Sequence, residues 1–270
     1  MSKISIIAEI GWNHMGDMIL AENMISEAAK NGADMVKFQT WSEKNLKNGP
    51  WDSDGRREIY KKAELTKEKH IHLLNVSKKH NVEFLTSIFS LNQMNLIKEL
   101  GIQKIKVPSH EVHNLELIKA LGNHFDKVFV STGAAKWSEV LNIPKIIDKK
   151  KLVLFHCVSS YPCHIENINL TRLNALKKLS EEVGYSGHFQ GVEDAIGAIG
   201  MGAHYIEKHF TINNSLPGRD NEFAILPHHL KTIADFRDLF EKMTIDKGLD
   251  HQASEQDIID QYRGRWNGSN

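Results

Sequence analysis

Two histidines, His188 and His209, each close a short apolar strand, with about one strand-helix unit between them. The first follows Tyr185-Ser186-Gly187 and the second ends Ile206-Glu207-Lys208-His209. Parallel neighbours in a sheet lie roughly 4.8 Å apart, so histidines at the same end of adjacent strands can share one ion. Imidazole is the commonest protein ligand for first-row metals. Two protein ligands leave positions for water and substrate, which suits a divalent metal ion acting as a Lewis acid on a carbonyl. The competing reading is a pair of core histidines with satisfied hydrogen bonds. Asp220, shortly downstream in Leu216-Pro217-Gly218-Arg219-Asp220, favours the metal.

Other strand ends carry chemistry as well. Lys37 and Lys106 terminate otherwise apolar strands, and a buried lysine needs an anion beside it. The hydroxyls of Thr86, Ser109, Ser131 and Ser186 are expected at the same mouth. Ammonium groups among hydroxyls make a cradle for phosphate or carboxylate. The alternative is that each lysine pairs with a barrel carboxylate such as Glu9 or Glu207. Glu9 and Glu111 are the acid/base candidates, with structural ion pairing the alternative for Glu9. Cys157 has no clear base, so no nucleophile is assigned, and no G-x-S-x-G elbow is present.

These residues must be placed by a repeating scaffold. Apolar runs at 4–9, 35–39, 83–87, 104–107, 128–131, 152–156, 183–186 and 205–208 read as strands buried on both faces. Between and after them lie helical patterns at 17–31, from Thr66 to His80, and at 91–100, 114–121, 137–147, 170–179, 192–201 and 227–243. Asp17 is a fair N-cap, and Gly32 stands where a helix ends. A polar insertion at 40–64 carries Trp41 and Trp51. Eight such units predict an α/β fold, a (β/α)8 TIM barrel, over 1–245, followed by a polar C-terminal tail at 246–270. An open doubly wound sheet is the competing architecture, but no G-x-G-x-x-G follows the first strand. In such barrels the active site lies at the C-terminal strand ends. His70, His72 and His80, on a polar helix, are expected to face solvent.

Composition narrows the function classes. Formal net charge is +0, which gives no electrostatic footprint for nucleic acid. No apolar run approaches the ~18 residues that span a bilayer. The chain enters its first strand directly, so no signal peptide is expected. With 2 cysteines there is no disulfide framework, which fits a cytoplasmic location.

The motifs Ala8-Glu9-Ile10-Gly11-Trp12-Asn13-His14-Met15-Gly16-Asp17, Val36-Lys37-Phe38-Gln39-Thr40, Ser131-Thr132-Gly133 and Ile206-Glu207-Lys208-His209-Phe210, with Leu216-Pro217-Gly218-Arg219-Asp220, resemble the sialic acid synthase family. The resemblance runs in order from the first strand to about Leu230. It implies a (β/α)8 enzyme that condenses phosphoenolpyruvate with an open-chain N-acyl hexosamine, using Mn²⁺ or Mg²⁺. The product is a nine-carbon 2-keto-3-deoxy acid, and phosphate leaves by C–O cleavage. By the same resemblance Lys37, Thr86, Lys106, Ser109, Ser131 and Ser186 hold phosphoenolpyruvate. His188 and His209 hold the metal. Gln39, Tyr161 and Asp220 meet the sugar, Ser159 lies in the substrate loop, and Glu111 handles water.

The chain departs from that family in four places. The family's usual Cys-Thr-Asn-x-Tyr-Pro reads Cys157-Val158-Ser159-Ser160-Tyr161-Pro162, and its Ser-Asp-His-Thr reads Ser186-Gly187-His188-Phe189. Arg219 replaces a common Pro, and the sequence ends at Asn270 without the family's usual C-terminal lid domain. A different acceptor, a homo-oligomer or partner supplying the lid, or the insertion at 40–64 would compensate. Rival readings are another metal-dependent aldolase, synthase or isomerase on a different aldehyde or phosphorylated sugar, and a non-catalytic homologue that binds sugar or phosphoenolpyruvate.

Overall fold

The apolar runs form eight parallel strands that pair in chain order and close on themselves, so the expected (β/α)8 barrel is the observed fold. They are β1 (Ser5–Gly11), β2 (Met35–Thr40), β3 (Glu83–Ile88), β4 (Lys104–Val107), β5 (Lys127–Ser131), β6 (Leu152–Cys157), β7 (Glu182–Gly187) and β8 (Tyr205–His209). The computed structural model describes residues 3–266 and 268. The helices are α1 (Met18–Lys30), α2 (Arg56–Ala63), α3 (Lys67–Lys79), α4 (Met94–Glu99), α5 (Leu115–His124), α6 (Trp137–Val140), α7 (Arg172–Leu176), α8 (Glu193–Gly200), α9 (Arg219–Phe223), α10 (Pro227–Met243) and α11 (Gln256–Gln261). Asp17 caps α1 as expected, its carboxylate accepting from the amides of Ile19 and Leu20.

Strand side chains alternate between the two faces of the sheet. The outward phase, which includes Ile6, Val36, Phe38, Val128, Val130 and Leu154, is fully buried under the helices. Each such side chain contributes roughly 1.5–3 kcal/mol. The inward phase divides by height. Ile7, Met35, Leu85, Phe129, Val153, Phe155 and Tyr205 form a separate apolar cluster that fills the barrel interior. One step further along the strands, the same inward phase carries Glu9, Lys37, Ser87, Lys106, Ser131, Cys157, Ser186 and Glu207. The plug therefore floors a polar layer at the C-terminal mouth.

Several elements differ from the sequence expectation. The helix expected at 137–147 stops at Val140 and resumes as a 3-10 turn at Ile143–Lys145. Pro144 in that span lacks the amide a continuous helix needs. The helix expected at 170–179 shortens to α7, and that at 91–100 opens as a 3-10 turn before α4. The insertion is not all loop, since it contains α2 and two 3-10 turns. His70 does not face solvent: it is fully buried, with Nε2 2.8 Å from the Thr40 hydroxyl and Nδ1 bonded to the Thr66 carbonyl. His72 is exposed as expected and pairs with Glu22. Beyond α10 the chain carries α11, which is largely exposed. Residues 1 and 2 of the expected barrel span, and Asn267, Ser269 and Asn270 of the expected tail, lie outside the described residues. No helix among the described residues is long and apolar enough to cross a membrane.

Candidate active site

A cavity of about 300 Å³ opens at the C-terminal ends of the strands. Glu9, Lys37, Gln39, Lys106, Ser109, Ser131, Tyr161, Ser186, His188, His209 and Asp220 all line it. Thr86, Glu111 and Ser159 do not. Thr86 sits one residue out of phase, facing the helices, where its hydroxyl bonds Thr40 at 2.7 Å. Ser87 takes the inward place beside Lys106, its register partner, and its buried hydroxyl has no hydrogen-bond partner among the described residues. Glu111 is half-buried in the turn after β4, with Oε2 3.5 Å from Asn114 Nδ2. Ser159 stands behind the wall, donating to the Ser109 hydroxyl at 2.8 Å.

The floor of the mouth is a four-charge cluster. Lys37 pairs with Glu9 at 2.7 Å and lies 3.9 Å from Glu207, while Lys106 pairs with Glu207 at 2.6 Å. All four side chains are at most 5% exposed. Register places Glu9 directly between Lys37 on β2 and His209 on β8. Beyond Glu9, β1 slips register at Gly11, whose φ of 55° favours glycine. Both lysines thus pair with carboxylates and face the cavity at once. Burial pushes the Glu9 carboxyl up, with Glu207 adding to the rise and Lys37 opposing it. Burial alone would also raise Glu207, but Lys106 and Lys37 outweigh it and hold that carboxyl down. Glu9 is therefore the carboxylate that takes a proton first. Burial lowers Lys106, with Glu207 opposing the fall; burial would lower Lys37 too, but Glu207 and Glu9 outweigh it and hold Lys37 up. Once Glu9 is protonated, the two lysines face one carboxylate and the cluster can accept an anion.

Above the cluster the imidazole rings of His188 and His209 stand 5.4 Å apart. Nδ1 of His188 donates to the Val158 carbonyl at 2.7 Å, which fixes its tautomer and leaves Nε2 as the free lone pair. Nδ1 of His209 is buried without a hydrogen-bond partner among the described residues, 3.5 Å from Asp220 Oδ2. Burial holds His188 to about 4 and His209 well below its ordinary value, so both rings are neutral. Neutral imidazoles with unclaimed nitrogens fit a divalent cation, because a buried orphan nitrogen is costly until something completes it. Among the described residues no group of three or more His, Cys, Asp or Glu is arranged for a metal. Water and substrate would fill the remaining positions. Asp220 accepts from the Trp12 indole at 2.7 Å, and burial raises its carboxyl to about 6.

The walls also hold residues to which the sequence assigned no role. Tyr60 and Arg56 reach the cavity from α2, and Phe89, His110 and Trp12 complete the rim. Tyr60 packs 5.4 Å from the Trp12 ring and 5.7 Å from Trp41. Arg219 stands over the Tyr161 ring at 5.7 Å. Trp12 carried a signal, following the end of β1 directly. Tyr60 and Arg56 carried none, because they lie in a short, strongly polar stretch of the insertion away from any strand end.

The NeuB family model matches residues 24–247. The chain belongs to the NeuB family. It is an enzyme, of a family whose members include named synthases. The N,N'-diacetyllegionaminic acid synthase of Campylobacter jejuni is 34% identical over 250 residues, covering 86% of this chain and 75% of that protein. The protein of the same name from Legionella pneumophila is 34% identical over 253 residues, covering 84% and 69%. The solved N-acetylneuraminic acid synthetase of Leptospira borgpetersenii serovar Hardjo-bovis superposes with a TM-score of 0.88 at 34% identity. It covers 99% of this chain and 94% of that one.

Proposed function

We propose that this NeuB-family enzyme condenses phosphoenolpyruvate with an open-chain N-acyl hexosamine, giving a sialic-acid-like 2-keto-3-deoxy nonulosonic acid and phosphate. One observation carries the reading: two buried ammonium groups and two neutral histidines face one cavity. Lys37 and Lys106 would hold the carboxylate and phosphate as fixed, water-excluded charges, with Ser87, Ser109, Ser131 and Ser186 supplying hydroxyls. Gln39, Tyr161 and Asp220 would orient the acceptor. His188 and His209 would hold Mn²⁺ or Mg²⁺, whose contribution when bound is to polarise the acceptor aldehyde. C3 of phosphoenolpyruvate attacks the aldehyde carbon, water adds at C2, and the tetrahedral intermediate expels phosphate by C–O cleavage. Asp220 would pass a proton to the new alkoxide and take one back from the water that adds at C2. Glu9 takes up the proton that anion binding favours. Glu111 does not line the cavity and is given no step. The relatives named for legionaminic and sialic acid products support the acceptor class.

The test is phosphate release from phosphoenolpyruvate with Mn²⁺ across N-acyl hexosamines and simple aldoses, the keto acid being read by mass. A product of one hexosamine plus pyruvate is expected. Release only with a phosphorylated non-amino sugar would favour a different aldolase, and binding without release would favour a binding homologue.

A further inference from the structure

Behind the two histidines, on the outer face of the barrel, lies a buried ion pair that belongs to no wall of the cavity. Lys208 sits between Glu207 and His209 on β8 and points outward by strand alternation. Its Nζ meets the two Asp194 oxygens at 2.9 and 2.8 Å and donates to the Phe189 carbonyl at 2.5 Å. Asp194, in the first turn of α8, also accepts from the Tyr185 hydroxyl at 3.0 Å. All three residues are at most 2% exposed. A buried ion pair is weak evidence for stability, since apolar side chains of similar volume often pack as well. Its location needs another reason.

The bonds lead to the histidines. Phe189 follows His188, whose own carbonyl accepts from the Cys163 amide at 2.9 Å. Lys208 immediately precedes His209. One ammonium therefore ties together the backbones that carry both rings. Gly187 lies opposite Lys208 in the β7–β8 register. A Cβ there would stand 2.2 Å from Asp194 Oδ2 and 2.7 Å from the Tyr185 ring. The missing side chain is the slot into which the α8 carboxylate fits.

We infer that Asp194, Lys208 and Tyr185 are positioning residues that set His188 against His209 for one shared divalent cation, with Gly187 the slot that admits the Asp194 carboxylate. The inference rests on the metal reading proposed above. It implies that the carboxylate can come from either side of the slot, because with Asp194 cut back to alanine one carried on residue 187 would reach the space against Lys208 once the Tyr185 ring shifts aside.

The test measures Mn²⁺ affinity, by electron paramagnetic resonance of the free ion, alongside circular dichroism melts. Two double variants are compared with the parent chain. Lys208→Met with Asp194→Leu leaves no unpaired buried charge, and Gly187→Asp with Asp194→Ala moves the carboxylate across the slot. The neutral variant is expected to melt cooperatively yet bind Mn²⁺ roughly 10–100-fold more weakly, as loss of groups behind metal ligands does. The relocated variant is expected to bind within about threefold of the parent, well inside that range. Parental affinity in the folded neutral variant would overturn the inference. So would a folded relocated variant that binds no better than the neutral one. If the neutral variant does not fold, the relocated variant decides alone: binding within about threefold of the parent supports the inference, and binding about 10-fold or more weaker overturns it. A parent chain that binds no Mn²⁺ would instead sink the metal reading, and this inference with it.

Discussion

At the residue scale the chemistry turns on which side chains share the inward phase. Lys106 contacts Glu207 at 2.6 Å, but Glu207 keeps Lys37 at 3.9 Å, so Lys106→Met leaves that carboxylate partly compensated. Loss of a hydrogen bond to a charged group, about 1.5–3 kcal/mol, should weaken phosphoenolpyruvate binding roughly 10–100-fold by titration calorimetry. An unchanged affinity would remove Lys106 from the anion cradle. Phase separates the next pair. Ser87→Ala should weaken the same binding, because its unpartnered hydroxyl faces the cavity. Thr86→Val should leave it unchanged and cost about 1–2 kcal/mol in urea melts, through the lost bond to Thr40. Glu9 gives a third expectation. An anion placed beside Lys37 favours the protonated form of a carboxyl already pushed up by burial. Binding should therefore take up a proton, and affinity should fall as pH rises through neutrality. Calorimetry in buffers of different ionisation enthalpy measures that uptake, and Glu9→Gln should abolish it.

At the element scale the insertion between β2 and β3 decides what the cavity can accept. It is clasped internally: Arg57 bridges Asp52 and Glu43, and Glu64 accepts from the Glu43 amide at 2.8 Å. The clasp presents Tyr60 against Trp12 and Trp41, on the side of the cavity away from the Lys37–Lys106 floor. Tyr60→Ala should raise the acceptor KM about tenfold, the cost of an aromatic contact, while phosphoenolpyruvate affinity stays level. Equal losses for both substrates would instead mean that the insertion supports the whole mouth. The strands and their terminal residues were legible because buried parallel strands write continuous apolar runs, against which Lys37, Lys106, His188 and His209 stand out. Thr86 was misplaced because such a run hides the two-residue alternation that decides which face a hydroxyl takes. Tyr60 and Arg56 were not legible, because they reach the site from a short polar helix held by local ion pairs, far from any strand end. Gly187 read in sequence only as a departure from Ser-Asp-His-Thr. Three-dimensional proximity to Asp194 on α8 gives that glycine its meaning.

At the scale of the whole molecule, the barrel buries histidines that its helices and loops keep dry, and this ties stability to pH. His156 is fully buried on the outward phase of β6, with Nε2 2.7 Å from the Ile168 carbonyl and Nδ1 unpartnered among the described residues. Burial lowers it from 6.5 to about 4. His14 is likewise held to about 4, by burial first and then by Lys69. The folded chain thus binds these protons less readily than the unfolded chain does. Their stabilising contribution is complete above pH 6.5, declines as pH falls, and is exhausted near pH 4. A shift of that size is worth roughly 3 kcal/mol per site as an upper value. Glu9 and Asp220 run the other way. Their folded values are raised, so they add stability at low pH that is lost as pH rises. The parent's net slope is therefore a difference between opposing groups. Comparison with His156→Gln isolates one of them, since glutamine can still donate to the Ile168 carbonyl but cannot titrate. Urea melts from pH 7.5 to 4 should show the variant losing up to about 3 kcal/mol less than the parent over that range. Parallel curves for the two proteins would mean that His156 takes its proton without unfolding, and that the shell around β6 admits water the structure does not predict.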